Sequence, residues 1–242
     1  MNRLFLVAQC MLAPFVAGAA APLMSDDIPT SAGAVRITFI GHSSLMLTHG
    51  KTVIHVDPVS QYANYATLPK ASLILVTHEH FDHLDMRAIE KIRTDKTVIV
   101  APPVCANAVG KAVILRNGER TTQCGVLIEA VPAYNITHQR APGKPFHPRS
   151  VGNGYILTFG DTRIYIAGDT ENTPDMKALT NITVAFLPMN LPYTMTPEMV
   201  ADAVRAFKPK ILYPYHYGET DPQKLVKLLH GSGIDVRIRP LR

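Results

Sequence analysis

The segment Thr77-His78-Glu79-His80-Phe81-Asp82-His83-Leu84-Asp85 places three histidines and one aspartate within six residues. Imidazole and carboxylate are the ligands that borderline divalent metals such as zinc take. The segment follows the apolar run Ser72-Leu73-Ile74-Leu75-Val76, so these side chains sit at the carboxyl end of a strand, where the chain enters a helix. Alternation in an extended segment puts His78 and His80 on the same side, able to grip one ion. Asp82 and His83 come where the chain turns, and can address a second ion a few ångströms away. A lone histidine in such a place is more often a hydrogen-bonded packing residue. Four potential ligands at H-x-H-x-D-H spacing behind an apolar strand point to metal binding. Asp85 reads as the cap of the helix that follows.

The elements that must hold this segment are short apolar runs rich in Val, Ile, Leu and Tyr. Strands are expected at Val35–Ile40, Ser44–Thr48, Thr52–Val56, Ser72–Thr77 and Thr97–Ala101. A second series is expected at Val126–Pro132, Gly154–Phe159, Arg163–Ala167, Val184–Pro188, Ile211–Tyr215 and Asp235–Ile238. The turn pairs His49-Gly50 and Gly160-Asp161 suggest antiparallel neighbours in each half. Helices are expected at Asp85–Ile92, Val104–Lys111, Met199–Phe207 and Gln223–His230. Thr196-Pro197-Glu198 and Asp221-Pro222 supply a cap and a proline ahead of the last two. No linker divides the halves, so one α/β domain over residues 22–242, built from two sheets with outer helices, fits best.

Composition excludes several classes. Apolar residues make up 47% and charged residues 18% of the 242, which rules out disorder over most of the chain. The net charge of +5 is scattered, with no long basic run, so no nucleic-acid partner is expected. Met1-Asn2-Arg3 followed by the apolar Leu4–Ala21 reads as an export leader over residues 1–21, with Ala17-Gly18-Ala19 before Ala20 as a cleavage site. A periplasmic or secreted protein without stable membrane insertion is therefore expected. Loss of the leader removes Cys10 and leaves Cys105 and Cys124, either paired or as free thiols.

The H-x-H-x-D-H segment resembles the signature of the metallo-β-lactamase superfamily, and the resemblance runs through nearly the whole chain after the leader. Gly41-His42-Ser43-Ser44 with Val56-Asp57-Pro58 resembles the opening hairpins, whose aspartate supports the ligand loop. Ala167-Gly168-Asp169-Thr170 resembles the later strand-end motif, and Tyr213-Pro214-Tyr215-His216 the terminal strand. The resemblance implies a four-layer αβ/βα sandwich of two mixed sheets with outer helices. It also implies two divalent ions, zinc first and manganese or iron as alternatives. His78, His80, Asp82, His83, Asp169 and His216 become ligands, with Asp169 bridging. The family's further histidine falls where this chain has Asn135. His138 and His147 follow in the next loop, and Phe146-His147-Pro148-Arg149 gives the role to His147 in preference.

The activity so implied is hydrolysis of an ester, lactone, amide or phosphodiester by a hydroxide bound between the two metals. Asp82 would orient the nucleophile or shuttle its proton. His42, Tyr193 and Tyr217 are candidates to stabilise the oxyanion. Within the superfamily the compact chain resembles the branch of L-ascorbate-6-phosphate lactonase and N-acyl-phosphatidylethanolamine phospholipase D. Arg140, Lys144 and Arg149 favour a small, anionic substrate. The alternative is a non-hydrolytic metalloprotein on the same scaffold, for redox chemistry or metal retention. His55 and His230 carry no metal signal and read as surface or structural residues.

Overall fold

The computed structural model describes residues 22–242, and the expected leader lies outside them. The first sheet runs in chain order: β1 (Ser25–Ile28), β2 (Val35–Gly41), β3 (Ser44–His49), β4 (Thr52–Val56), β5 (Leu73–Leu75), β6 (Val98–Ala101) and β7 (Val113–Ile114). Its first four strands are antiparallel and the rest parallel. The second sheet is built from β8 (Arg120–Gln123), β9 (Val126–Ala133), β12 (Gly152–Phe159), β13 (Thr162–Ile166), β14 (Val184–Pro188), β15 (Ile211–Tyr215) and β16 (Asp235–Val236). Their order is β16-β15-β14-β13-β12-β9-β8, with the same change from antiparallel to parallel pairing. A small hairpin of β10 (Gln139–Ala141) and β11 (Lys144–Pro145) stands apart.

Both faces of the first sheet are covered, and the sequence shows it. Leu73 and Leu75 of β5 point into the core between the sheets with Ile37, Phe39, Leu45 and Val56, whereas Ile74 and Val76 belong to an outer cluster. That outer cluster is closed by α1 (Met86–Ile92), through Ala88, Ile89 and Ile92. A strand buried on both sides needs an unbroken apolar run, which Leu73–Val76 provides. A short helix, α2 (Ala106–Val109), and α3 (Pro174–Lys177) follow, and α4 (Pro197–Phe207) and α5 (Gln223–Leu228) lie beyond the second sheet's strands. The Thr196 hydroxyl accepts the Met199 amide at 3.1 Å to cap α4, which buries Val200, Ala203, Val204 and Phe207 at helical spacing. The α4 helix stops at Lys208, whose φ of +47° no helix can continue. The expected sandwich is the observed one. Among the described residues no helix is long and apolar enough to cross a membrane.

The expected elements are all present, some trimmed. The strand expected over Ser72–Thr77 is trimmed to Leu73–Leu75, with Ser72 and Val76 still bonded to the neighbouring strands, and Thr77 turns away to meet Asp57. The helix expected at Val104–Lys111 is a short turn followed by α2. Strand β1, the polar β8, the β10–β11 hairpin and α3 were not legible in the pattern.

Candidate metal centre

The site lies at one edge of the sandwich, where β4, β5, β9, β13 and β15 end and the β2–β3 turn passes. Asp57, fully buried after β4, organises the ligand loop. Its carboxylate accepts the Thr77 amide at 2.8 Å, the Thr77 hydroxyl at 2.7 Å and His83 Nδ1–H at 2.8 Å. The Thr77 hydroxyl has given its hydrogen to Asp57, so its oxygen accepts His78 Nδ1–H at 3.0 Å. Both histidines are thereby oriented with Nε2 turned toward the site. Across the site the Asn153 amide donates to Thr77 O at 2.8 Å, and the Tyr155 hydroxyl to Val76 O at 2.8 Å, joining the two sheets beneath it. Gly168, at φ +65°, lets them meet: a Cβ there would lie 2.8 Å from Asn153 O.

Three imidazoles form the first donor group: His78, His80 and His147. His78 Nε2 lies 3.1 Å from His80 Nδ1, and His147 Nε2 lies 3.3 Å from Asp169 Oδ2. His147 comes from the loop after the β10–β11 hairpin, and Asn135 brings it in. Asn135 Oδ1 accepts both the His147 amide, at 2.8 Å, and its Nδ1–H, at 2.7 Å, while the Asn135 amide donates to His147 O at 2.9 Å. Asn135 is itself held, its Nδ2 donating to Glu171 Oε1 at 3.1 Å and Tyr193 O at 2.8 Å. The buried Glu171 carboxylate also accepts the amides of Ile136, Thr137 and His138 at 2.9, 2.7 and 2.6 Å. Burial alone would raise the Glu171 carboxyl, but these donors outweigh it and hold it below its ordinary value. His138 turns to this carboxylate, Nδ1 lying 2.9 Å from Glu171 Oε1, and stays out of the donor group.

The second group is His42, Asp82, His83 and His216, and Asp169 joins the two through a cluster with His78 and His83. Asp82 Oδ2 lies 3.3 Å from His42 Nε2 and 3.5 Å from His216 Nε2, which is also 3.5 Å from Asp169 Oδ2. His42, Asp57 and His216 all have positive φ, between +42° and +55°. Three non-glycine residues in the left-handed region around one site is strain held in place by the surrounding fold. The His216 amide donating to His42 O at 3.1 Å is one such restraint.

The electrostatics describe an acidic nest awaiting cations. Burial would raise Asp169, yet His216 and His83 outweigh it and hold its carboxyl well below the usual range. Asp82 is depressed likewise against its burial, chiefly through His216 and His42. Burial opposes charge on His83, but Asp169 and Asp57 push it well above the ordinary histidine value. His78 and His42 are lowered, mainly by burial. The nitrogens His83 Nε2, His147 Nε2 and His216 Nε2, with Asp169 Oδ1, are buried and have no hydrogen-bond partner. Such orphaned donors cost free energy unless something binds them, and imidazole nitrogens with carboxylate oxygens suit zinc-like divalent ions. The donor set therefore fits two metal ions.

Above the groups opens a cleft of about 570 Å³ lined by Glu79, Phe81, Asp82, Arg140, Phe146, Asn190 and Tyr193 besides the histidines. Tyr193 stands at its wall and His42 touches Asp82. Tyr217 is not at the cleft: its hydroxyl donates to Arg239 O at 2.9 Å and its ring joins the core. Of the basic residues, Arg140 lines the cleft, while Arg149 pairs with Asp175 at 3.2 Å. Asp85 caps α1, accepting the Arg87 amide at 2.8 Å. His55 is buried, its Nε2 3.1 Å from Pro69 O, and burial lowers it to about 4; His230 is exposed. Cys105 and Cys124 are both free. The roles of Thr77, Asn135 and Glu171 were missed from sequence; only the Asn at a position expected to hold histidine gave a signal.

A sandwich of two mixed sheets with a histidine–aspartate centre at the strand ends defines a metallohydrolase-type scaffold. Residues 36–216 match the family model described as the beta-lactamase superfamily domain, and the chain belongs to that family. A metal-dependent hydrolase of Thermococcus onnurineus is 32% identical over 227 residues, covering 85% of this chain and 97% of the relative. The crystal structure of a candidate metal-dependent hydrolase from Parabacteroides distasonis is 52% identical, with a TM-score of 0.88, covering 91% of this chain and 100% of that one. Igni18, a metallo hydrolase of Ignicoccus hospitalis, shares the fold at a TM-score of 0.68 and 20% identity, covering 86% of this chain and 96% of its own.

Proposed function

We propose that this protein is a metal-dependent hydrolase of small esters, lactones, amides or phosphodiesters, using two divalent ions. The observation that carries the reading is the pair of buried donor groups, sharing Asp169, at the floor of an open cleft. His78, His80 and His147 would hold one ion, Asp82, His83 and His216 the other, with Asp169 serving both; zinc is the ion this donor set favours. Ions bound there supply an activated water at neutral pH and polarise the substrate oxygen. Asp57 and Asn135 keep the imidazoles in the tautomer that leaves Nε2 bare. Asp82 lines the cleft with Oδ2 held by His42, leaving Oδ1 to take the attacking water's proton and return it to the leaving group. As the new bond to the water oxygen forms and the leaving-group bond breaks, His42 holds Asp82 in place through its 3.3 Å contact. Arg140 lends the cleft a positive charge that favours an anionic substrate. The leader-like first 21 residues favour action outside the cytoplasm.

Turnover of 4-nitrophenyl esters, aryl lactones and bis(4-nitrophenyl) phosphate is the test. Activity lost to a chelator and restored by zinc supports the proposal. A zinc-loaded protein inert to all three classes, and absorbing in the visible when purified with iron, would favour the redox alternative.

A further inference from the structure

Apolar exposure on this molecule is not spread evenly. Of the seven large apolar side chains left exposed among the described residues, Phe81 and Tyr193 line the cleft, and Leu191 lies between the lining residues Asn190 and Tyr193. Phe81, in the middle of the ligand loop, is 82% exposed although its neighbours on both sides are candidate ligands. Phe146 continues the wall, its ring 5.0 Å from that of Tyr193 and set edge-on to it. An apolar rim surrounding polar donors is how small-molecule clefts secure orientation and contact area together.

One cation interrupts that wall. Arg140, on β10, lines the cleft and lies over the Phe146 ring, with Cζ 5.9 Å from the centroid. Its Nη2 donates to Phe146 O at 2.6 Å, which holds the guanidinium beside the aromatic pair. Among the described residues no carboxylate lies within 4.0 Å of it, whereas Arg149, Arg163 and Arg239 each have an acidic partner. Glu79 lines the same cleft but makes no ion pair with Arg140. A guanidinium has five N–H donors in a fork that matches a carboxylate or phosphate, and here most of them are unused.

We propose that the cleft selects a small acid bearing an aryl or acyl group: Arg140 binds the anionic group, and Phe146, Tyr193 and Phe81 pack the apolar group. This deepens the hydrolase reading by naming its substrate class, and rests on that reading only for the bond that is cleaved. Arg140 and Phe146 act as specificity determinants that touch substrate away from the reacting atoms.

Calorimetric binding to the zinc-loaded full chain tests the assignment with three probes: 2-benzylsuccinate, the uncharged 3-phenylpropan-1-ol and succinate. Benzylsuccinate, with both features, binds tightest. Arg140→Gln weakens it about tenfold or more, the scale of a charge-assisted hydrogen bond, and leaves the uncharged 3-phenylpropan-1-ol unchanged. Phe146→Ala weakens both aryl probes roughly fivefold and spares succinate. Arg149→Gln, paired with Asp175 and off the cleft, changes nothing. The assignment is overturned if benzylsuccinate does not bind at millimolar concentration, or if succinate matches it. It is also overturned if Arg140→Gln stays within twofold of the unaltered protein or Arg149→Gln loses as much. Failure of the hydrolase reading looks different: the binding pattern holds, but none of the esters, lactones or the phosphodiester is turned over.

Discussion

The two donor groups of this centre are built by different means. His78 and His147 are aimed by side-chain relays, from Asp57 through Thr77 on one side and from Glu171 through Asn135 on the other, and His80 lies against His78. The second group relies on the backbone: His42 and His216 sit at positive φ, their rings tilted 39° to each other with centroids 3.6 Å apart, and only His83 has a carboxylate behind it. The difference teaches where each group is vulnerable. A relay can be cut by one atom's change without moving the chain, so the first group is separable from the fold. Backbone strain is shared with the strands that enforce it, so the second group is not.

Asp169 is the one side chain common to both, and its loss has the largest effect. Asp169→Ala should empty both groups and lower turnover by about three orders of magnitude or more, read by metal analysis and ester hydrolysis. If one ion survives at full affinity, the groups are not coupled through this carboxylate. Next comes His147→Ala, which should remove one ion per chain while His138→Ala removes none; the reverse result would return the ligand role to His138. Asn135→Ala cuts the relay alone and should weaken the first group's ion by about 10- to 100-fold, as loss of a ligand's hydrogen-bond partner does, with the second group intact. Competition with a colorimetric chelator measures this, and an equal loss from both groups would refute the separation.

The smallest effect lies far from both. Asp26 on β1 accepts Arg239 Nη2 at 2.7 Å and the Tyr213 hydroxyl at 2.6 Å. Burial opposes its ionisation, but Arg239 and Tyr213 prevail and its carboxyl is depressed. A depressed acid contributes stability above its unfolded value, near 3.9, that is lost as pH falls through the folded one. Asp26→Asn should therefore lower the melting temperature at pH 7 by a few degrees, narrow the gap to the unaltered protein as pH falls below about 4, and leave metal content unchanged. A loss of bound metal in this variant would tie the remote edge to the centre.

Much of this was legible because burial and spacing speak locally. Leu73–Val76 had to be a doubly buried strand, and H-x-H-x-D-H behind it had to gather ligands at its end. Strand β1 was hidden because Ser25, Asp26 and Asp27 are polar and only Ile28 is buried; backbone pairing to β2 makes it a strand. Strand β8 is hidden for the same reason. Tyr217 was misread because it follows His216, yet one residue further on the side chain leaves the cleft for the core. Glu171 could not be found, since its partners are amides of residues 136–138 and no side-chain pattern marks an amide acceptor. Asn135 read as a missing ligand; the fold makes it the clamp for a substitute from another loop.

Metal content is the most direct measurement of the central claim, that two coupled donor groups hold two ions. Elemental mass spectrometry on protein purified without chelators, before and after Asn135→Ala, should give about two ions per chain falling to about one under chelator challenge, with the fold unchanged by circular dichroism. A chain that holds no metal and takes up none on addition of zinc would contradict the account.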